Sequence, residues 1–580
     1  MIKAGDYVLE NSFHPQQDEF PYKSRQYFYI NDQQAGVYTS PQISIEATQL
    51  TNSGKYFSAS ESFLAIPLVT TLVATTGNLT SDVANAFAVS LKNGTHHLIH
   101  SMQVQISNID VVNLTQFSNL KINYKILSQW GSDDVNTRGG ILNMPGGCDS
   151  YLSEQYQASA SKYGVGSCNN SIVPITTSGF TAFNGYGYFN DGNVSRRARM
   201  MQTSFDPNNS QFQSNFITSA NCNTVNKSYC ATSSSTSAIT YYIMATIPLS
   251  ILHDLFKKWA LVKNVYLRMV LNLNANFTSN ITVGSSGTTF TTFTTTSNGG
   301  TCPHMVSPLS GAGVSSATTS IGIDASSNLT ALTVNTSISS YTLNGTTYKT
   351  GHYSGCRMFA CMYELSPEQE ENYLRTVPQK TILYNDFYFF NQNLTGIIPG
   401  GNVNALLTTG ISRLRGLLVV PQIAASVHGS TIAGLQSGTY AAGVGQLGSP
   451  LLSPFSSAPA TCCPYFKANN VNVLIAGTPY FQQPLNYSWE LFSEIRKQGI
   501  YGNEFWGLSS GLITQDQWET NMGFLWFDLS RWQNEAEDNA LKMVQLQLTN
   551  GCNTTVDLYA FLVYEREISI SISTGQLITG

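Results

Sequence analysis

The sequence predicts an all-β chain, two β-sandwiches in tandem with short helices and long inserted loops. Three observations lead there. First, short runs alternate apolar and polar residues with a period of two, as a strand with one buried face does. LIHSMQVQI (98–106), LRMVLNLN (267–274) and ISISIS (568–573) are clear cases. Second, the two halves echo each other at an offset close to half the chain. IMATIPLS (243–250) answers FLWFDLS (524–530), and VYLRMVLNLNAN (265–276) answers LKMVQLQLTNGC (541–552). Such an internal repeat marks a duplicated architecture. Third, 580 residues exceed what one core serves. Two copies of many short strands with long loops point to sandwiches of the jelly-roll kind.

Taken in order, residues 1–45 are polar and aromatic with little periodicity, and read as an N-terminal arm. Residues 46–276 form the first sandwich. Within it, 86–107 reads as a hairpin turning at Asn93-Gly94, a dipeptide that tolerates the positive φ of a two-residue turn. Leu98, Met102 and Val104 then face the core, and His96 shares their face with His100. The period changes at 115–130, where Phe117, Leu120, Tyr124 and Leu127 make a helical stripe. Residues 131–238 are a long loop insertion rich in Gly, Ser, Asn and Tyr. A strand, a short helix capped by Ser250 with Leu252, Leu255, Phe256 and Trp259 inward, and a second strand complete the unit. Residues 277–350, crowded with Ser, Thr and Gly, read as the junction, and 351–580 as the second sandwich. There Ser366-Pro367 starts a helix, with Gln369 at the capping-box position. ILYNDFYFF (382–390) is a strand, 487–497 a short helix, and 555–573 two alternating runs.

Composition narrows the function. Charged residues are 11% of the chain, under half the usual quarter. A surface this neutral is expected to be packed against other subunits or glycosylated. A net charge of -5 argues against a protein that coats nucleic acid. The N-terminus lacks an apolar core of signal-peptide length, so the chain is expected to be used inside a cell or to be a mature form. No stretch reaches a membrane span; 63–74 is short, contains Pro67 and reads as a buried strand. The ten cysteines show no C-x-x-C, and Cys356, Cys361 and the adjacent Cys462 and Cys463 fit free thiols better than a disulfide framework. Sequons such as Asn78, Asn113, Asn276 and Asn393 occur little more often than chance gives, so they do not establish secretion.

No catalytic, cofactor or metal residues are assigned. Ser509 sits in a G-x-S-x-G match, but the strand-turn-helix context that makes a nucleophile is missing, so a Gly/Ser turn is the better reading. His96, His97 and His100 cluster without an acid or Cys partner; they read as strand residues at a subunit edge, where titration near neutrality would make an interface pH-sensitive. Arg196, Arg197 and Arg199 form the one dense basic cluster and read as a solvated loop or a salt-bridged contact rather than a genome contact. Glu370 and Glu371 are adjacent on a helix and point apart.

The order of segments resembles the double jelly-roll major capsid proteins of virophages and polinton-like viruses. RQYFYINDQQAGVYTSPQI, the LKNG turn, IPLSILHDLFKKWALVKNVYLRMVLNLN, ILYNDFYFF, the DLSRW turn (528–532) and VDLYAFLVYEREISISISTGQL carry the resemblance, from about residue 25 to the end. It implies a structural, non-enzymatic homotrimer: a pseudo-hexameric capsomer that meets neighbouring capsomers, penton and minor capsid proteins in an icosahedral virion shell around a dsDNA genome. It implies no cofactor, no specific nucleic-acid binding and synthesis inside a host cell. The runner-up is a secreted or surface adhesin or lectin with tandem sandwiches. A polysaccharide-active enzyme comes third and needs a carboxylate pair that the sequence does not locate.

Overall fold

A computed structural model of the chain describes residues 22–34, 36–76, 87–91, 94–142, 230–233, 236–283, 290–295, 304–308, 331–343, 346–349, 355–390, 394–423, 466–488, 490–492, 518, 523–530, 540–552 and 555–578. Sixteen strands define the architecture. The first eight are β1 (Tyr22–Asn31), β2 (Gln42–Glu46), β3 (Tyr56–Thr76), β4 (Ile99–Ile106), β5 (Ile109–Thr115), β6 (Thr236–Pro248), β7 (Leu267–Leu273) and β8 (Arg357–Leu365). The second eight are β9 (Gln379–Phe390), β10 (Asn402–Ile411), β11 (Leu414–Ile423), β12 (Ala468–Ile475), β13 (Thr478–Pro479), β14 (Leu525–Asp528), β15 (Lys542–Asn550) and β16 (Val556–Ser571).

Their pairing settles the topology. One sheet of the first unit runs β1-β8-β3-β6 and the other β2-β7-β4-β5. The second unit repeats the order as β9-β16-β11-β14 and β10-β15-β12-β13. All these pairs are antiparallel. Adding eight to each strand number turns one unit into the other, so the chain is a jelly roll wound twice. The matching β6 and β14, and β7 and β15, are the segments whose sequences echo. The spacing is not constant along the chain, because loops of unequal length separate the other matching strands.

The alternating runs fold as their period dictates. Leu267, Met269, Leu271 and Leu273 of β7 are buried while Arg268, Val270 and Asn272 are half-buried. Register aligns Ile45, Met269 and Val104 across β2, β7 and β4, and Ile43, Leu271 and Met102 beside them. In the second unit Val544, Leu546 and Leu548 of β15 do the same against Ala405 and Val403 of β10. The strand β11 reads as a continuous apolar run, Leu417 to Val420, and all four are buried. Gly416 precedes them because the Trp526 ring lies across it: a Cβ there would come within 2.1 Å of the indole.

Several expectations are corrected. Residues 22–31 and 42–46 are not an arm: β1 pairs with β8 over its length, Tyr22 against Leu365 through Asn31 against Arg357, and β2 pairs with β7. Residues 277–350 are not a junction: Ala331–Ile338 pairs with the far half of β3, and Phe277–Val283 and Phe290–Thr295 extend the same sheet. The second unit begins after β8, which belongs to the first, and the helix Pro367–Thr376 makes the crossing. The hairpin read over 86–107 gives way to a different pairing. Phe87–Leu91 pairs with His304–Pro308, and Thr95–Leu98 is a 3-10 turn before β4. Long-range bonds hold that turn: Thr95 N–H to the Leu142 carbonyl at 2.8 Å, and the Asn274 side chain to the His97 carbonyl at 2.8 Å. Gly94 has φ 126°, while Asn93 lies outside the described residues. Leu98, Met102 and Val104 are in the first core, as expected.

Four helices matter for the site: α1 (Ser118–Gln129), α2 (Leu249–Leu252), α3 (Asp254–Lys257) and α4 (Pro367–Thr376). Pro248 rather than Ser250 precedes α2, and His253 caps α3, with Leu252, Leu255, Phe256 and Trp259 buried as read. Pro367 opens α4, but Ser366 makes no side-chain cap. α1 has two faces. Leu120 and Tyr124 pack into the second unit's core, Ile122 and Ile126 into the first. In return Ile382 and Tyr384 of β9, with Ile570 and Ile572 from the C-terminal stretch, pack into the first core.

Candidate functional site at the seam between the rolls

Where the two rolls meet, the sheet edge at β5 lies beside β9, and α1 and α3 cover the join. Because side chains along β9 alternate, Ile382, Tyr384 and Asp386 point toward the first roll, and all three are buried. Asp386 is the centre. One carboxylate oxygen accepts from Arg566 at 3.0 Å and from the Tyr564 hydroxyl at 3.3 Å. The other accepts from the Phe387 amide at 2.8 Å and faces His253 Nε2 at 3.4 Å. Arg566, near the end of β16, also donates to the Val111 and Asp110 carbonyls of β5, each at 3.1 Å. The Tyr384 hydroxyl donates to the Val111 carbonyl as well, and the Thr115 hydroxyl to the Phe387 carbonyl at 3.1 Å. Side chains thus satisfy backbone groups at the edges of two sheets that do not pair directly.

The electrostatics follow from burial. Desolvation alone would raise the Asp386 carboxyl, but the bond from His253, the Lys121 charge and the Arg566 guanidinium hold it down at about 2. Burial lowers His253 despite that carboxylate. Its Nδ1 accepts from the Leu255 amide at 3.2 Å, which assigns the remaining proton to Nε2, facing Asp386. Lys121 of α1 is 2% exposed, with its ammonium 3.9 Å from the Phe387 ring centre. Asp254 accepts from Lys258 at 2.9 Å and from the Asn385 amide at 3.1 Å. The arrangement is a buried lock. It holds fixed charges and a hydrogen-bonded carboxylate, and among these seam residues no nucleophile stands beside a base.

The residues singled out from sequence lie elsewhere. His96 and His97 are 0% and 1% exposed, which overturns the subunit-edge reading. His96 Nε2 pairs with the Asn123 side chain at 3.0 Å and His97 Nδ1 with Asn119 at 3.4 Å, both on α1, so the pair docks that helix. Burial, then the neighbouring His97, brings His96 down to about 3. His100 is half-buried with its ring edge-on to Phe117 at 4.9 Å. Glu370 on α4 meets Lys263 and the Tyr56 hydroxyl, and Glu371 is exposed, so the two carboxylates form no pair. Cys356, Cys361 and Cys552 are buried thiols that form no disulfide. Ser509, Arg196, Arg197 and Arg199 lie outside the described residues. Among the described residues no group of three His, Cys, Asp or Glu side chains gathers as a metal site, and no helix is long and apolar enough to cross a membrane. The seam residues left faint signals: one acid in the aromatic strand ILYNDFYFF, and Lys121 and Lys125 one turn apart on a helix that carries no acid.

Fold and seam together define a double jelly roll with its two rolls joined through buried polar groups. No family model matches the chain, and no curated protein matches it. Among solved structures it is similar to a chain of the Sputnik virophage structure, with 13% identity over 98% of this chain and 90% of that one, TM-score 0.49. It is similar to the mavirus major capsid protein at 9% identity, 97% and 93% coverage and TM-score 0.42. The Faustovirus major capsid protein gives 8%, 97% and 94%, and 0.41.

Proposed function

We propose that the chain is a structural subunit of a virus capsid, an assembling protein rather than an enzyme. The observation that carries this reading is the duplicated eight-strand order joined across a buried seam. Three such chains around an axis present six similar rolls, a pseudo-hexamer that tiles a shell. The outward face of β10 and β15 supports it. Asn402, Asn404, Leu406, Met543, Gln545, Gln547 and Thr549 face out with no charge among them. The amides are already paired in place: Thr549 to Asn402 at 2.7 Å, Gln547 to Asn404 at 3.4 Å, and Gln545 to Asn404. A neutral, internally bonded face loses little on leaving water and does not repel its like, which suits a second copy of this chain. The resemblance of the segment order to virophage capsid proteins points the same way.

On this reading the homotrimer buries roughly 2,000–5,000 Å² at each obligate interface, and weaker contacts join neighbouring capsomers, penton and minor capsid proteins into an icosahedral virion shell around a dsDNA genome. Light scattering on the full chain tests it. A particle of three times the 63.3 kDa subunit mass is expected; a stable monomer refutes it.

A further inference from the structure

We infer that the outer face of the β1–β8–β3 sheet is the surface on which a second copy of this chain docks, through its second roll. The eight-strand repeat makes that face comparable with one already covered inside the chain. In the second roll Phe389, Phe561 and Leu418 stand abreast on β9, β16 and β11. The helix α1, which follows the edge strand β5 of the first roll, lies on this row. The Phe117 ring just before it is 5.2 Å from Phe389 and 4.7 Å from Tyr559, and the Lys121 ammonium reaches the Phe387 ring on the same face of β9. The first roll thereby covers the aromatic row of the second.

The matching strands of the first roll are β1, β8 and β3, and their matching row is Tyr29, Phe359 and Phe63. Ile30, Met358 and Ala360 alternate with it and pack into the first core, so the row faces away from that core. The Phe63 and Phe359 rings stack at 4.8 Å, and the Tyr27 ring lies 5.8 Å from Phe63. Among the described residues this row is left open, with Tyr27 43% and Tyr29 60% exposed. At its rim Arg25 stands over the Tyr27 ring at 5.3 Å and pairs with Glu61, which also accepts from the Tyr363 hydroxyl at 2.7 Å. An open depression lined by Phe63, Ile141, Met244, Thr246 and Pro248 carries the face on across β6. Exposed tyrosines and an arginine around phenylalanine rings are the composition of an interface centre.

The occupant follows from the repeat and from symmetry. A ring of three identical chains closes through a heterologous contact, one patch on each copy meeting a different patch on the next. The seam supplies the pattern: an edge strand and the segment after it in one roll, set against the aromatic row of another. The counterpart of β5 in the second roll is β13, likewise at the edge of its sheet, the sheet that carries the neutral face of β10 and β15. A second copy that brings its β13 edge to Tyr27 and Tyr29 repeats between chains the contact that β5 and α1 make within one. The inference rests on the proposed self-assembly and names the surface that closes the ring.

Photocrosslinking of the full-length chain tests it, with the substitution Tyr29→benzoylphenylalanine. The expected product is a pair of chains at twice the 63.3 kDa subunit mass on a denaturing gel, in which position 29 is joined to residues 402–550 of the other copy. Joining to the first roll of the other copy, or within one chain only, overturns the inference. Light scattering of the Tyr27→Ala, Tyr29→Ala double variant is the second arm. Association is expected to weaken by about 30-fold or more, as at an interface hot spot, with an unchanged circular dichroism spectrum. A wild-type trimer with a double variant that assembles as tightly overturns this docking face alone. A wild-type monomer overturns the capsid reading as well.

Discussion

The seam and the outward face of β10 and β15 invert the usual layout of a soluble protein. The seam buries Asp386, His253 and Lys121 and lays Arg566 along two sheet edges, whereas the outward face carries amides, a threonine, Leu406 and Met543 without a charge. Most proteins place charge outside and apolar groups inside. Here charge joins the two rolls of one chain, and neutrality marks the outward face of β10 and β15. The difference separates two jobs. A charged lock specifies one geometry because any other leaves a buried ion unpaired. A neutral face associates without electrostatic selection and so tolerates repeated contacts between identical copies.

The contrast breaks most sharply at Asp386. Asp386→Ala leaves Arg566 and Lys121 facing a buried gap, and is expected to cost about 3–5 kcal/mol in denaturant unfolding. A loss under about 1 kcal/mol would show that apolar packing by α1 alone holds the rolls together.

Acid is expected to act next. Burial lowers His253, and brings His96 and His304 down to about 3, all below the ordinary histidine value near 6.5. The unfolded chain therefore takes up protons that the folded chain refuses. Stability is full above about pH 6.5 and is lost as pH falls toward about 3, at up to about 1.4 kcal/mol per pH unit for each histidine. Asp386, depressed to about 2, contributes stability that is full above the ordinary carboxylate value of about 3.9 and is lost as pH falls from there through about 2. Urea midpoints measured between neutral pH and about pH 4 should slope this way, and His96→Gln should flatten the slope. A flat profile would mean that these histidines bind protons in the fold.

Removing one seam charge tests whether the lock is needed for strength or for geometry. Lys121→Met keeps the length of the side chain and deletes the buried ammonium. It is expected to leave the unfolding midpoint unchanged or to raise it, since an apolar replacement of a buried ion is often stabilising by about 1–4 kcal/mol. A fall of similar size would make Lys121 a necessary partner of Asp386.

Much of this was legible because it is local. The period-two runs gave the strands, and the shared pattern of β6–β7 and β14–β15 exposed the duplication. What failed was non-local. The strand β1 pairs with β8 at the far end of the first unit, Tyr22 against Leu365, and nothing within 22–31 announces that partner. The Asn-Gly signal at 93–94 was sound turn chemistry, but Phe87–Leu91 pairs with His304–Pro308 instead. The seam was invisible for the same reason. Lys121, His253, Asp386 and Arg566 are unremarkable singly, and only the fold brings them from four distant segments to one place.

The smallest expected effect on the isolated chain is also the most direct test. Leu406 and Met543 are exposed on the neutral face, 45% and 37%, so replacing both with Glu should change unfolding stability by no more than about 0.5 kcal/mol each. Assembly should respond quite differently, because like charges then meet at every copy. Light scattering of wild type and of the Leu406→Glu, Met543→Glu double variant is therefore the decisive measurement. The account predicts a trimer for the wild type and the 63.3 kDa monomer for the variant, with matching unfolding midpoints. A wild-type monomer, or a double variant that still assembles, would contradict it.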